Sequence, residues 1–309
     1  MSFNAQAGGV YTIAATPFHP DGRLDFESID RVTDFYLKCG VTGITALGVM
    51  GEAPKLDQEE SVALVRRIVK RAGKVPVIVG VTSPGFAPMR ALARDAMHAG
   101  AAGVMIAPPT SLRTDDQIVD YYRQASEAIG DDVPFALQDY PLAFSVVMNP
   151  QVLRRIVTEN PSCVMLKIED WPSLEKITAM RKLEQAGDMR RVSILTGNGG
   201  VFVNYELERG ADGAMTGYAF PDMLVDLVKL SKADERDRAH DLFDAHLPLI
   251  RYEQQPGVGL AVRKYVLMKR GAIASDMQRK PASSLSAAGR AEVDYLLSRL
   301  ERSDPRAAL

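Results

Sequence analysis

Short β-branched or apolar runs recur along the chain at residues 10–16, 43–47, 75–81, 103–107, 133–138, Cys163–Ile168, 192–196 and 213–216. They repeat at intervals of roughly 20 to 35 residues, the spacing of strand–helix units. None alternates cleanly between apolar and polar, as expected of parallel strands covered on both faces. Between them lie amphipathic stretches. Phe26–Lys38 places Ile29, Val32, Phe35 and Tyr36 on one face, and 87–99 does the same with Met89, Leu92, Ala93, Ala96 and Met97. Residues 175–185 and 202–209 are shorter examples. Gly40, Gly100 and Gly210 follow three of these helices, where a left-handed residue ends the helix. Each opens the same four-residue phrase, Gly40-Val41-Thr42-Gly43, Gly100-Ala101-Ala102-Gly103 and Gly210-Ala211-Asp212-Gly213.

Eight such units predict an α/β fold, a (β/α)8 TIM barrel, rather than a doubly wound sheet, which more often has about five to seven strands. After about residue 220 the strand signal stops. Residues 224–231, 235–249, 259–270 and 286–300 read as helices, so the expected organisation is a catalytic barrel over 8–222 and a C-terminal helical extension over 223–309.

Composition narrows the function classes. The chain has 309 residues, 46% hydrophobic and 25% charged, with a formal net charge of -2. That balance gives no polyanion-binding surface, and no nucleic-acid partner is expected. The basic residues Arg66, Arg67, Lys70 and Arg71 alternate with Leu64, Val65, Ile68 and Val69 as the wet face of a helix does. Of the two cysteines, Cys39 and Cys163, the second lies in an apolar run and reads as a buried hydrophobe. No apolar run approaches the ~20 residues of a membrane span, and residues 1–9 show no secretory signal. A cytoplasmic location follows by default.

Barrel enzymes place their chemistry at the C-terminal ends of the strands. Lys167 follows Val164-Met165-Leu166 in a buried strand, where an unpaired ammonium is costly. Desolvation favours the free amine of a lysine, which can attack a carbonyl carbon. A lysine there can equally be paired with Glu169 or with a carboxylate across the barrel mouth. Tyr140, ending the preceding strand, can pass protons to a substrate oxygen, or simply bond a backbone carbonyl. The turn 48–51 (Gly48, Val49, Met50, Gly51) can hold a carboxylate on its backbone N–H groups. The glycine-rich Gly197-Asn198-Gly199-Gly200 lies where many barrels bind phosphate, which keeps a phosphosugar enzyme as a rival. The four histidines, His19, His98, His240 and His246, lie outside the predicted strand ends, so neither a catalytic metal nor another cofactor is expected.

Thr16-Pro17-Phe18, the 48–51 turn with Glu52, Tyr140-Pro141, Lys167, Thr196-Gly197 and Gly213-Ala214-Met215-Thr216-Gly217 occur in an order and spacing that resembles the pyruvate-dependent class I aldolases. That family contains dihydrodipicolinate synthase and N-acetylneuraminate lyase. The resemblance spans nearly the whole chain, including the helical tail. It implies a homotetramer built as a dimer of dimers, and a small-molecule 2-oxo acid substrate such as pyruvate held as an imine on Lys167. It also implies proton relay by Tyr140, and substrate binding by Gly48, Val49, Met50, Gly51, Thr16, Gly197 and Thr216.

Three departures stand out. Val49 and Met50 replace the hydroxyl residues of the best-known synthases and lyases. No arginine follows Tyr140 until Arg154. No tyrosine lies near 110–113, where the synthase draws one from a neighbouring subunit. The Gln138-Asp139 lead-in and Lys167-Ile168-Glu169 are similar to the branch of 2-oxo-3-deoxy sugar acid dehydratases. The expectation is a Schiff-base-forming lyase, aldolase or dehydratase. A non-catalytic 2-oxo acid binder is the alternative that the missing hydroxyl suggests.

Overall fold

A computed structural model describes residues 3–171 and 173–309. Its parallel strands close in sequence order: β1 (Gly9–Ile13), β2 (Gly43–Ala46), β3 (Val77–Gly80), β4 (Gly103–Ile106), β5 (Phe135–Asp139), β6 (Cys163–Ile168), β7 (Ser193–Thr196) and β8 (Gly213–Ala214), with β8 pairing back onto β1. Every apolar run of the sequence overlaps one strand. The closed ring excludes the doubly wound sheet, which has two free edges.

The helices alternate with the strands. They are α1 (Phe26–Lys38), α2 (Gln58–Ala72), α3 (Phe86–His98), α4 (Asp115–Ile129), the single turn α5 (Pro141–Phe144), α6 (Pro150–Glu159), α7 (Ser173–Gln185), α8 (Val203–Glu208) and α9 (Pro221–Lys232). Their starts are written in the sequence: Asp57 and Thr114 cap α2 and α4 as capping boxes with Glu60 and Gln117. Gly40, Gly100 and Gly210 take φ of 77°, 94° and 98° after α1, α3 and α8, as their positions require. The basic residues of α2 face α1, where Arg67 holds Asp30 at 2.6 Å and Arg71 holds Asp34. Cys163 is fully buried, as expected, and burial pushes its thiol up to about 12.

Three further α-helices follow: α10 (Arg236–Tyr252), α11 (Gly259–Lys269) and α12 (Ala287–Leu300). They are joined to the barrel by polar contacts as well as packing. Tyr218, just after β8, shares a 2.8 Å hydrogen bond with His246 Nδ1, whose Nε2 lies 2.8 Å from Asp304. The ring is fully buried, and burial lowers its pKa against the opposing pull of Asp304. Tyr218 is therefore a buried tie between the barrel and α10. Lys264 of α11 reaches Glu52 at 2.6 Å, and Arg270 donates to the carbonyl of Ala219 at 2.8 Å. These contacts fix α11 over one side of the barrel mouth.

Candidate active site

Side chains alternate across a strand, so Lys167 and Glu169 share a face of the β6 end. Gln138 is register partner to Lys167 on β5. That face is the barrel interior. Lys167 Nζ lies 2.9 Å from Glu169 Oε1, and both residues are about 5% exposed at most. Gln138 Nε2 donates to the same oxygen at 2.7 Å, while the Asn198 amide donates to Glu169 Oε2 at 2.7 Å. Glu169 is thus held at both oxygens, and Lys167 sits against a fixed carboxylate. The ion pair raised by the sequence is present, and it puts a proton acceptor in contact with the amine.

The glycine-rich loop after β7 contributes to this bed. A Cβ on Gly197 would lie 2.4 Å from Glu169 Oε2, so only glycine admits the carboxylate there. The Asn198 amide, which a phosphate would need, already serves Glu169. The anion bound by this loop is the protein's own.

The outward residues of the same strand ends form a second cluster. Asp139, between Gln138 and Tyr140, points away from the interior and meets Lys176 of α7 at 2.7 Å. Lys176 also bonds Asp170 at 2.5 Å. Burial pushes the Asp139 carboxyl up to about 7, against the pull of Lys176, with Asp170 and Glu169 adding to the rise. Glu206 of α8 is likewise pushed up to about 7 by burial, opposed by the hydroxyls of Ser173 and Thr196 and aided by Glu169.

Tyr140 precedes the short helix α5, half-buried, with its ring edge-on to Phe144 at 6.4 Å. Burial raises its phenol, Glu169 raises it further, and the Arg263 guanidinium lowers it. Tyr140 therefore lies within electrostatic reach of Glu169 on one side and Arg263 on the other.

Across the mouth, the 48–51 turn is flanked by Leu47 and Glu52, both left-handed at φ 56° and 54°. Non-glycine residues in that region store strain that the surrounding structure must hold. Thr16 helps to hold it: its hydroxyl donates to the Gly51 carbonyl at 2.6 Å. Among the described residues the amides of Val49 and Met50 donate to no backbone carbonyl. Val49 points outward, 56% exposed, while Met50 is buried. A Cβ on Gly217 would lie 2.0 Å from the Met50 sulfur, so the thioether fills the space against β8. Thr216 is buried beside the Gly200 turn, and its carbonyl accepts from the Ile13 amide.

Sequence reasoning missed Arg263, Gln254 and Glu253, which come from the helical extension. It also missed Lys176 and the bracing of Glu169. The two-residue spacing of Lys167 and Glu169 could have flagged the latter, since it puts both on one face. A surface groove of about 480 Å³, lined by Asp226, Lys229 and Arg238 among others, includes none of these strand-end residues.

Comparison with known proteins adds the following. The sequence profile of the Dihydrodipicolinate synthetase family matches residues 6–300. A crystal structure of dihydrodipicolinate synthase from Rhodopseudomonas palustris superposes with a TM-score of 0.95. It is 65% identical and covers 97% of this chain and 99% of that one. An L-2-keto-3-deoxyarabonate dehydratase of Azospirillum brasilense is 31% identical over 298 residues, 95% of this chain and 94% of its own length. A 4-hydroxy-tetrahydrodipicolinate synthase of Sorangium cellulosum is 33% identical over 193 residues, 62% of each chain.

Proposed function

Because the chain belongs to the Dihydrodipicolinate synthetase family, whose named members are enzymes, we propose that this lyase binds a 2-oxo acid as an imine on Lys167 and removes water from it. The observation that carries the reading is the Lys167–Glu169 pair at 2.9 Å, buried at the floor of the mouth with Glu169 fixed by Gln138 and Asn198.

Glu169 takes a proton from the Lys167 ammonium, and the free amine attacks C2. Glu169 returns that proton to the carbinolamine hydroxyl, which leaves as water, so one C=O bond is exchanged for C=N and Glu169 is a carboxylate again. The Val49 and Met50 amides hold the C1 carboxylate, and Thr16 keeps their turn in place. The protonated imine draws electrons from C3, whose proton passes to Glu169. A hydroxyl at C4 then departs with a proton from Tyr140, giving one double bond and one water. Hydrolysis of the imine returns Lys167. Gly197 and Thr216 shape the walls in this scheme.

Dehydration is favoured over condensation because Val49 and Met50 carry no hydroxyl to relay protons, whereas Glu169 touches the nucleophile. The dehydratase from Azospirillum brasilense, similar over 95% of the chain, supports the same choice. A condensation with a second, aldehyde substrate is the other reading, motivated by the synthase from Rhodopseudomonas palustris. Turnover of 2-oxo-3-deoxy acids against aldehyde–pyruvate pairs separates the two.

The imine is tested by incubation with pyruvate and borohydride. One reduced pyruvyl group on the Lys167 peptide is expected. Label elsewhere, or none, would overturn the proposal. For the assembly we propose a homotetramer of the family type, to be checked by analytical ultracentrifugation at several protein concentrations, with a concentration-independent monomer as the contrary result.

A further inference from the structure

Arg263 of α11 differs from the other arginines near the mouth. Arg279 spends every side-chain nitrogen: Nε and Nη2 on the Gly22 carbonyl, Nη1 on Lys55 O, and both Nη atoms on Glu60. Arg270 likewise uses both Nη atoms, on Ala219 O and Asp222. Arg263 has one hydrogen bond, from Nε to Glu253 Oε1 at 2.9 Å. Among the described residues its two terminal nitrogens donate to nothing. Glu253 is buried and grips only the inner edge of the guanidinium, which orients the outer fork without occupying it.

That fork lies at the mouth. Arg263 Nη2 is 3.0 Å from where a Cβ on Gly199 would stand, on the loop that braces Glu169. The Gln254 amide nitrogen lies 1.4 Å from the same point, so its side chain covers the bare glycine. Gln254 Nε2 and Asn198 Nδ2 are both buried without a hydrogen-bond partner. Unpaired buried donors are costly, and native proteins keep few of them. Arg263 also acts electrostatically on Tyr140. Two amides and an open guanidinium fork thus converge at the loop that braces Glu169, the partner of Lys167.

We propose that Arg263, Gln254 and Asn198 form a subsite for a carboxylate at the far end of the substrate, making the natural 2-oxo acid a dicarboxylate. A planar guanidinium fork matches a carboxylate bidentately, with geometry that a hydroxyl cannot reproduce. The C1 carboxylate rests on the 48–51 turn, C2 joins Lys167, and the second carboxylate meets Arg263. This inference rests on the imine reading, and its test keeps the two separable.

Protection of Lys167 from pyruvate–borohydride labelling compares acids of equal chain length: 2-oxoglutarate with 2-oxopentanoate, and 2-oxoadipate with 2-oxohexanoate. One of the dicarboxylates should protect at roughly 10-fold to 100-fold lower concentration than its neutral-tailed partner, the range expected for a charged hydrogen-bonded contact. The advantage, measured against each variant's own pyruvate labelling, should vanish in Arg263→Gln and persist in part in Arg263→Lys. An equal effect of the paired acids, or an advantage that survives Arg263→Gln, overturns the subsite. Stronger protection by inorganic phosphate than by either dicarboxylate also overturns it.

Calorimetric binding of the same acids reads the subsite without labelling. If pyruvate leaves Lys167 unlabelled, the imine reading fails, and the calorimetric preference for a dicarboxylate still decides the subsite. Should Arg263→Gln fail to fold, Gln254→Leu and Arg263→Lys supply the comparison.

Discussion

The ends of β5 and β6 carry a lysine–carboxylate cluster on each side of one sheet, and the two behave as opposites. On the inner side Lys167 meets a single carboxylate, Glu169, whose charge is shared with Gln138 and the Asn198 amide. On the outer side Lys176 meets two carboxylates, Asp139 and Asp170, under α7. The inner lysine has one carboxylate in contact as a proton acceptor. The outer one is enclosed by two anions that need its charge to coexist. Carboxylates one position apart at the ends of the same strands thus meet a lysine of β6 on one side and a lysine of α7 on the other. The neighbouring groups make the difference, because both lysines are buried.

Exchanging each lysine for methionine gives the largest contrast. Lys167→Met should abolish turnover, a loss on the order of 10⁴-fold or more, while the protein stays folded, because Glu169 keeps two hydrogen-bond donors. Lys176→Met should instead cost about 3–5 kcal/mol of stability, the range for a buried pair that loses one partner. Urea unfolding and steady-state kinetics on both variants check this. Equal stability losses would remove the distinction drawn here.

A smaller effect is expected at the acceptor. Glu169→Gln preserves the hydrogen bond from Asn198 but removes the base, so imine formation should slow by about 10²–10⁴-fold. Rapid-quench labelling with pyruvate and borohydride measures the rate, with the far-ultraviolet spectrum and melting temperature unchanged. An unaltered labelling rate would assign the proton transfer to another group.

The smallest effect concerns pH. Asp139, at about 7, binds its proton more tightly in the folded protein than in the unfolded chain, where a carboxyl titrates near about 4. The folded state therefore holds more protons between these values, so stability falls as pH rises through that window and levels off above it. Asp139→Asn removes this contribution. The stability of the wild type relative to that variant should decline between about pH 4 and 7 and then level off. A rise over that range would contradict the assignment. Glu206 and Glu253, each pushed to about 7 by burial, add slopes of the same sign in both proteins.

Much of the barrel was legible in the chain, since each strand is a local apolar run and three helix ends carry a glycine where φ must be positive. Lys167 was legible for the same reason, as a charge placed inside such a run. What surrounds it was not. Asn198 reaches Glu169 across 29 residues of sequence, and Lys264 reaches Glu52 across 212. Such contacts depend on which loops cross in space, which no local periodicity records. Arg263 was hidden because α11 lies between the barrel mouth and α12, with polar residues on several sides and no single wet stripe. The partner of Asp139 was hidden in the same way, because the alternation of the strand turns it outward to Lys176, 37 residues on.

The fit between Met50 and Gly217 has a consequence for how this chain could have diverged. The two positions are interlocked, with the sulfur in the volume that any side chain at 217 would claim. A side chain at 217 requires the Met50 thioether to move. Shrinking Met50 to a hydroxyl residue would open space beside Gly217. The two sites are packed as a pair, so an exchange between this turn and a hydroxyl-bearing one changes the room available at both.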